Sequence, residues 1–162
     1  MSAVNVLSAF PGKNHAHAEC RRSALAQARD TCERRGVRLT PLRRRVLELV
    51  WNSHEPVKAY DVLARLGENG RPAAPPTVYR ALAFLRDMGL VHRIESLNAY
   101  VGCGRPGHGA SVQFLICRGC GQIAELSDPR LAELCAAGAR QLGFVVDSPT
   151  VEIKGHCPRC ID

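Results

Sequence analysis

Apolar residues recur at helical spacing through the first ninety or so positions and give way to short alternating runs further on. Leu25, Ala28 and Cys32 share one face of a helix predicted over 19–35, which Gly36 ends and which makes Cys32 a buried residue. Leu42, Val46, Leu49 and Val50 form the stripe of a second helix, opened by Thr40-Pro41 as a capping hydroxyl followed by a proline at the first helical position. Val62, Leu63 and Leu66 face inward from a third helix over 59–66, and 70–76 reads as a loop. A fourth helix starts at Pro76-Thr77 and stops at Gly89. It turns Val78, Leu82, Leu85 and Met88 inward and leaves Tyr79, Arg80, Ala83 and Arg86 on or near the outer face. Two short strands follow, 90–94 and 98–101, with 95–97 as their turn. Helices followed by a small hairpin describe a winged helix-turn-helix.

The stretch Gly102–Gly109 is glycine-rich and reads as a linker. Beyond it, 112–116 and 122–126 are strand-like, and Asp128-Pro129 caps a helix carrying Leu131, Leu134, Cys135 and Leu142. Cys135 lies on that apolar stripe and is expected in the core. Residues 144–154 are strand-like again. The fold class is therefore α+β, with an N-terminal winged helix-turn-helix domain over 19–102, a hinge over 103–109 and a C-terminal α/β domain over 110–162. Residues 1–18 read as a flexible tail, in which His15, His17 and Cys20 are solvated or form a stray metal cluster.

With 162 residues, 46% of them apolar, the chain can build one domain or two small ones. Its net charge of +7 favours a polyanionic partner, nucleic acid or an acidic membrane surface, over no partner at all. No apolar run is long enough to span a bilayer, and the first residues carry no basic start followed by a sustained apolar stretch. A cytoplasmic protein with reduced thiols is expected. Eight cysteines, four of them in two C-x-x-C pairs, then read as metal ligands before disulfides.

Cys117-Arg-Gly-Cys120-Gly121 and Cys157-Pro-Arg-Cys160 carry the strongest chemistry. Two such pairs supply four thiolates in a tetrahedron, the geometry of a closed structural zinc site with no open catalytic position. Gly121 stands where a tight turn needs freedom in φ. A redox role would want one C-x-x-C at a helix N-terminus, which two pairs, one at the C-terminus, fit poorly. A looser set, His92, Cys103, His108 and Glu125, offers two imidazoles, a thiolate and a carboxylate whose charge nearly balances a zinc ion, and the thiolate favours zinc over iron(II) or manganese(II). Spacing alone does not single this set out. A different class of protein, a zinc enzyme with His92, Cys103 and Glu125 around an ion and water in the fourth place, would need a cleft and a general base that no motif supplies. In the fourth helix, Arg80 can read guanine bidentately, Tyr79 can meet a phosphate or a thymine methyl, and Thr77 with the first helical amides can hold phosphate. The alternative is an ordinary amphipathic surface helix. Tyr60 reaches phosphate or is simply solvated, and the consecutive Arg43, Arg44 and Arg45 spray around their helix with the same two readings.

Taken together, Val37-Arg38-Leu39-Thr40-Pro41, Pro76-Thr77-Val78-Tyr79-Arg80-Ala81-Leu82, Cys117-x-x-Cys120-Gly121 and Cys157-x-x-Cys160, in this order, resemble the ferric uptake regulator family of metal-sensing bacterial repressors over residues 20–160. Within it the chain is most similar to the zinc uptake regulator branch, on the strength of Glu95-Ser96-Leu97-Asn98-Ala99-Tyr100-Val101-Gly102-Cys103, and it lacks the His-rich run that iron-sensing members tend to place before the first C-x-x-C. The resemblance implies a repressor of zinc-uptake genes that binds a palindromic operator as a homodimer through its winged helix and dimerises through its C-terminal domain. It implies two zinc ions per monomer, one structural on Cys117, Cys120, Cys157 and Cys160, one regulatory on His92, Cys103, Glu125 and a histidine upstream of Cys117. In relatives that histidine stands nearer the C-x-x-C, at Ala110 or a neighbour. His108 is the only histidine in the linker here and takes the role, or water completes the site. An iron-, manganese-, nickel- or peroxide-sensing member of the same family is the alternative within it, and a zinc-stapled DNA-binding protein without sensing is another.

Overall fold

The computed structural model describes residues 4–12, 15–68, 73–108 and 111–161. Part of the 70–76 loop, the end of the hinge at 109–110 and the first three residues lie outside the described residues. The chain forms two compact units, one from Pro11–Pro106, the other from Met1–Phe10 together with Gly107–Asp162. Among the described residues no helix is long and apolar enough to cross a membrane.

The first unit is helical with a two-stranded wing. Helix α1 covers His17–Arg34, α2 Pro41–Val50, α3 Ala59–Gly67 and α4 Pro75–Asp87; strands β2 (Val91–Ile94) and β3 (Ala99–Gly102) pair antiparallel across a 3₁₀ turn at Glu95–Leu97. The Thr40 hydroxyl caps α2 by accepting from the Arg43 amide at 3.3 Å, with Pro41 in the first helical position. The core draws Ala28 and Cys32 from α1, Val46, Leu47 and Val50 from α2, Val62 from α3, and Val78, Leu82 and Leu85 from α4. Each fully buried aliphatic side chain of this kind is worth about 1.5–3 kcal/mol over its exposed state. That burial holds α4 in a fixed place on the unit. The wing is tied down by Val57, which exchanges backbone hydrogen bonds with Tyr100 at 2.8 Å.

The second unit is a four-stranded sheet in the order β1-β5-β4-β6, with β1 at Asn5–Ser8, β4 at Gln113–Cys117, β5 at Ile123–Ser127 and β6 at Val151–Gly155. β4 and β5 are an antiparallel hairpin, and α5 (Pro129–Gln141) carries the chain over to β6, which runs parallel to β4. Asp128 caps α5 by accepting from the Arg130 amide at 3.0 Å.

Three features differ from the sequence expectations. Residues 1–18 are not wholly a tail: Asn5–Ser8 adds to the free edge of β5, with a register shift between Val6 and Ser8, and α1 already begins at His17. The backbone pairing of an edge strand stabilises these four residues without a buried side-chain pattern of their own. Cys135 is exposed rather than in the core, and no residue of α5 is buried; Leu134 is 70% exposed and Leu142 87%. The helix has the expected apolar stripe, but among the described residues it is covered only in part: Leu131 is half-buried, while Leu134 and Cys135 stay exposed. Finally, of the stretch 144–154 only 151–154 is strand, β6 running on to Gly155, while Phe144 and Val145 are exposed and pair with no strand.

Candidate functional site

The parallel pairing of β4 with β6 decides the cysteine site. In that register Cys117 lies opposite Gly155, so both C-x-x-C turns leave the sheet at the same end. A parallel crossover through α5, not a hairpin return, brings the pairs together. The four sulfur atoms lie within 4.8 Å of one another. The Arg118 amide donates to the Gly155 carbonyl at 2.8 Å, and the Cys157 amide donates to Cys117 Sγ at 3.3 Å. That amide bond holds the Cys117 thiol down at about 6, while hydrogen bonding to Cys157 and then burial push Cys160 up to about 12. Gly121 takes φ 75° in the first turn. Gly119 has no room for a side chain, since a Cβ there would sit 2.8 Å from Cys160 Cβ. Arg159 donates to Gln122 Oε1 at 2.7 Å and also hydrogen-bonds Cys120, which keeps its guanidinium protonated beside the sulfurs. A tetrahedral zinc would fit this donor set, with a cation nearby to offset its excess negative charge.

The second ligand set comes as two pairs, one in each unit. His92 lies on β2, and Cys103 directly follows β3, its amide donating to the Leu90 carbonyl at 3.0 Å. Their ligand atoms lie within 4.8 Å of each other, and Cys103 is buried. In the other unit His108 and Glu125 likewise bring their ligand atoms within 4.8 Å, with Glu125 buried on β5. Ala110, the position the family resemblance implies for a ligand histidine, lies outside the described residues.

The outer face of α4 presents Tyr79, 55% exposed, and Arg80, also exposed, while Val78, Ala81, Leu82 and Leu85 are buried. Tyr60 projects from the start of α3 at 76% exposure. The helix amides of α4 do not serve as phosphate donors, contrary to the sequence reading. Pro75 and Pro76 have no N–H, and the amides of Thr77 and Val78 are taken by the Ala74 carbonyl at 2.9 and 3.4 Å. Thr77 keeps only its hydroxyl for this purpose. The three consecutive arginines separate. Arg44 and Arg45 are tied to Glu48 at 3.2 and 3.1 Å. Arg43 stacks over the Phe84 ring at 3.5 Å and lines a shallow groove with Thr40, Thr77 and Arg80. Sequence reasoning left Arg43 undistinguished from its neighbours. The signal that separates it is Glu48, placed to pair with positions three and four residues earlier but not five.

A third cluster takes a member that the sequence reading did not include. His15 and His17, read there as solvated or as a stray cluster with Cys20, meet His54, from the turn after α2, with ring nitrogens within 4.8 Å. Nothing in the spacing links residue 54 to residues 15 and 17.

Residues 34–154 match the model of the ferric uptake regulator family. The zinc uptake regulation protein of Escherichia coli K12 is 40% identical over 141 residues, spanning 85% of this chain and 81% of that protein. Among solved structures, a zinc uptake regulator complexed with zinc and DNA superposes with TM-score 0.81 at 37% identity, covering 87% of this chain and 95% of its own. Holo XcZur superposes with TM-score 0.74 at 41% identity, covering 89% and 97%.

Proposed function

This chain belongs to the ferric uptake regulator family, and we propose that within it the chain is a cytoplasmic, zinc-responsive transcriptional repressor of zinc-uptake genes, a regulator and not an enzyme. It binds a palindromic operator in double-stranded DNA as a homodimer. The observation that carries the zinc assignment is Cys103, a buried thiol beside His92 in a chain 40% identical to a zinc uptake regulation protein. The peroxide operon regulator of Bacillus subtilis is 32% identical over 137 residues, which supports the family equally but the metal less. A thiolate in the ligand set favours zinc over iron(II) and manganese(II).

Two zinc ions per monomer serve the two roles. One is structural, on Cys117, Cys120, Cys157 and Cys160. The other is regulatory, on His92, Cys103, His108 and Glu125. Because the second set is supplied as a pair from each unit, one ion that binds all four joins the DNA-binding unit to the dimerisation unit across the hinge. That clamp sets the separation of the two recognition helices near one DNA helical repeat, about 34–36 Å. Moving a population from about 1:99 to 99:1 takes about 5.5 kcal/mol of differential binding. Structural zinc sites supply on the order of 10 kcal/mol, so the ion can drive the change. The exposed apolar stripe of α5, with Leu134 and Leu142, supports a second copy as its cover.

Arg80 reads bases, with Thr77, Tyr79 and Tyr60 on phosphates or thymine methyls. Arg80→Ala is expected to weaken operator binding by about 1–3 kcal/mol and to relax preference at one base position, leaving zinc content and dimerisation unchanged. A variant that binds weakly yet keeps its full base preference would make Arg80 a phosphate contact. The metal assignment is tested with a duplex selected by the zinc-loaded protein from random sequence. Buffered zinc is expected to tighten binding at lower free-ion concentration than iron(II) or manganese(II). Iron(II) acting first would overturn it.

A further inference from the structure

The four-cysteine set and the two ligand pairs leave one further cluster of metal-binding side chains among the described residues, that of His15, His17 and His54. All three belong to the helical unit and lie apart in sequence from the ligands assigned above. His15 and His17 stand at the start of α1; His54 stands in the turn that follows α2. The ring centroids of His54 are 4.7 Å from those of both His15 and His17.

Three imidazoles packed this closely are ordinarily explained by hydrogen bonds among themselves, and one such bond exists: His15 Nε2 and His54 Nε2 are 2.8 Å apart. His17 does not fit that explanation. Its Nε2 is 2.6 Å from the Trp51 carbonyl and must donate to it, which leaves Nδ1 as the lone-pair nitrogen. Nδ1 is buried and has no hydrogen-bond partner among the described residues. An acceptor left so costs free energy unless something supplies a positive partner. A ring N–H held by a backbone carbonyl, with the opposite nitrogen free, is also how metal-bound histidines are oriented. His54 completes the set, its Nε2 facing His15 Nε2 and its ring edge-on to that of His17. A fourth donor is nearby: Cys20 Sγ lies 3.1 Å from His15 Nε2, though outside the three imidazoles' mutual 4.8 Å set.

We propose that His15 and His54 through Nε2, and His17 through Nδ1, hold a further zinc ion, with the Cys20 thiolate completing a tetrahedral site. Three imidazoles and one thiolate suit zinc, and a thiolate argues against magnesium or calcium. On binding, Cys20 releases its thiol proton to solvent and the His15–His54 hydrogen bond gives way to two coordinate bonds. The ion ties the N-terminus of α1 to the turn after α2, so it braces the helical unit from within and does not bridge the hinge. Because His15 is exposed and Cys20 only half-buried, this site fills after the buried ones as free zinc rises.

The test is zinc bound per protomer of the full-length protein across a buffered free-zinc series, for wild type, His15→Ala and His54→Gln. Wild type is expected to take up one more zinc, at higher free zinc, than either variant, with helix content equal in all three by circular dichroism. Cobalt(II) loaded at this site is expected to show a sulfur-to-metal charge-transfer band that Cys20→Ser removes while the histidine variants remove the whole spectrum of the site. Cys103→Ser is a control that loses a different ion and keeps this one, so failure here and failure of the regulatory assignment are told apart. Identical zinc uptake by wild type, His15→Ala and His54→Gln at every free-zinc concentration would overturn the site.

Discussion

Cys157→Ser is expected to leave the protein without a folded C-terminal unit and without a dimer. Cys157 is buried and is joined to Cys117 by its own amide as well as by their shared place in the cluster. Its loss removes one of four thiolates from an ion whose binding is worth about 10–16 kcal/mol in structural zinc sites of this type. A whole domain is stable by only about 5–15 kcal/mol, so a large fractional loss of that binding exceeds the margin. The sheet buries Phe114, Ile116, Ile123 and Ala124, but among the described residues α5 buries none and β6 pairs with β4 alone. Sedimentation should show monomer or aggregate, and the far-ultraviolet spectrum should lose the strand contribution while the helices of the first unit persist. A Cys157→Ser protein that sediments as a stable, fully folded dimer would falsify the structural role of this site.

The largest expected effect on regulation is that of Cys103→Ser. A serine hydroxyl at this position is neutral and hard, so the site loses a charged ligand and its preference for zinc together. The four-cysteine site shares no ligand with it, so fold and dimer survive. The variant should hold one fewer tightly bound zinc per monomer. If the ion shifts the competent population from about 1% to 99%, operator affinity at saturating zinc falls about 100-fold, to the metal-free level. His92→Ala should behave alike, since it removes the partner of Cys103 in the same unit, whereas His108→Ala is expected to be milder because His108 is displaced from the position the family resemblance implies. Zinc stoichiometry and operator affinity, measured together across a buffered zinc series, decide this. Wild-type stoichiometry with a wild-type zinc response in Cys103→Ser would take Cys103 out of the ligand set and remove the main reason to prefer zinc over iron.

The winged unit was legible because its helices declare themselves twice, by stripe and by cap. Leu42, Val46, Leu49 and Val50 agree with Thr40-Pro41 about where α2 starts, and the structure shows the cap bond. The four cysteines were legible as a set from residue type alone, but not the way they meet. That depends on β6 pairing parallel with β4, and a strand's neighbour leaves no local trace. For the same reason β1 was missed: four residues on a sheet edge are held by backbone bonds to β5, whatever their side chains. Periodicity marked the apolar face of α5 correctly yet misplaced Cys135, since a stripe says which face is apolar and not whether this chain covers it. Glu125 and His108 stood in a candidate ligand set by residue type, but a lone carboxylate on a strand and a lone histidine in a linker gave that set little weight until the family resemblance raised it. His54 had none at all, being 37 residues from His17 and in a turn.

The most direct test of zinc as co-repressor is operator affinity titrated against buffered free zinc, with bound zinc counted on the same samples. Affinity is expected to stay low while only the four-cysteine site is filled, and to rise as the next zinc binds, in step with it, in wild type but not in Cys103→Ser. Full operator affinity in protein that holds the structural zinc alone would contradict the account and leave a zinc-stapled DNA-binding protein that does not sense the metal.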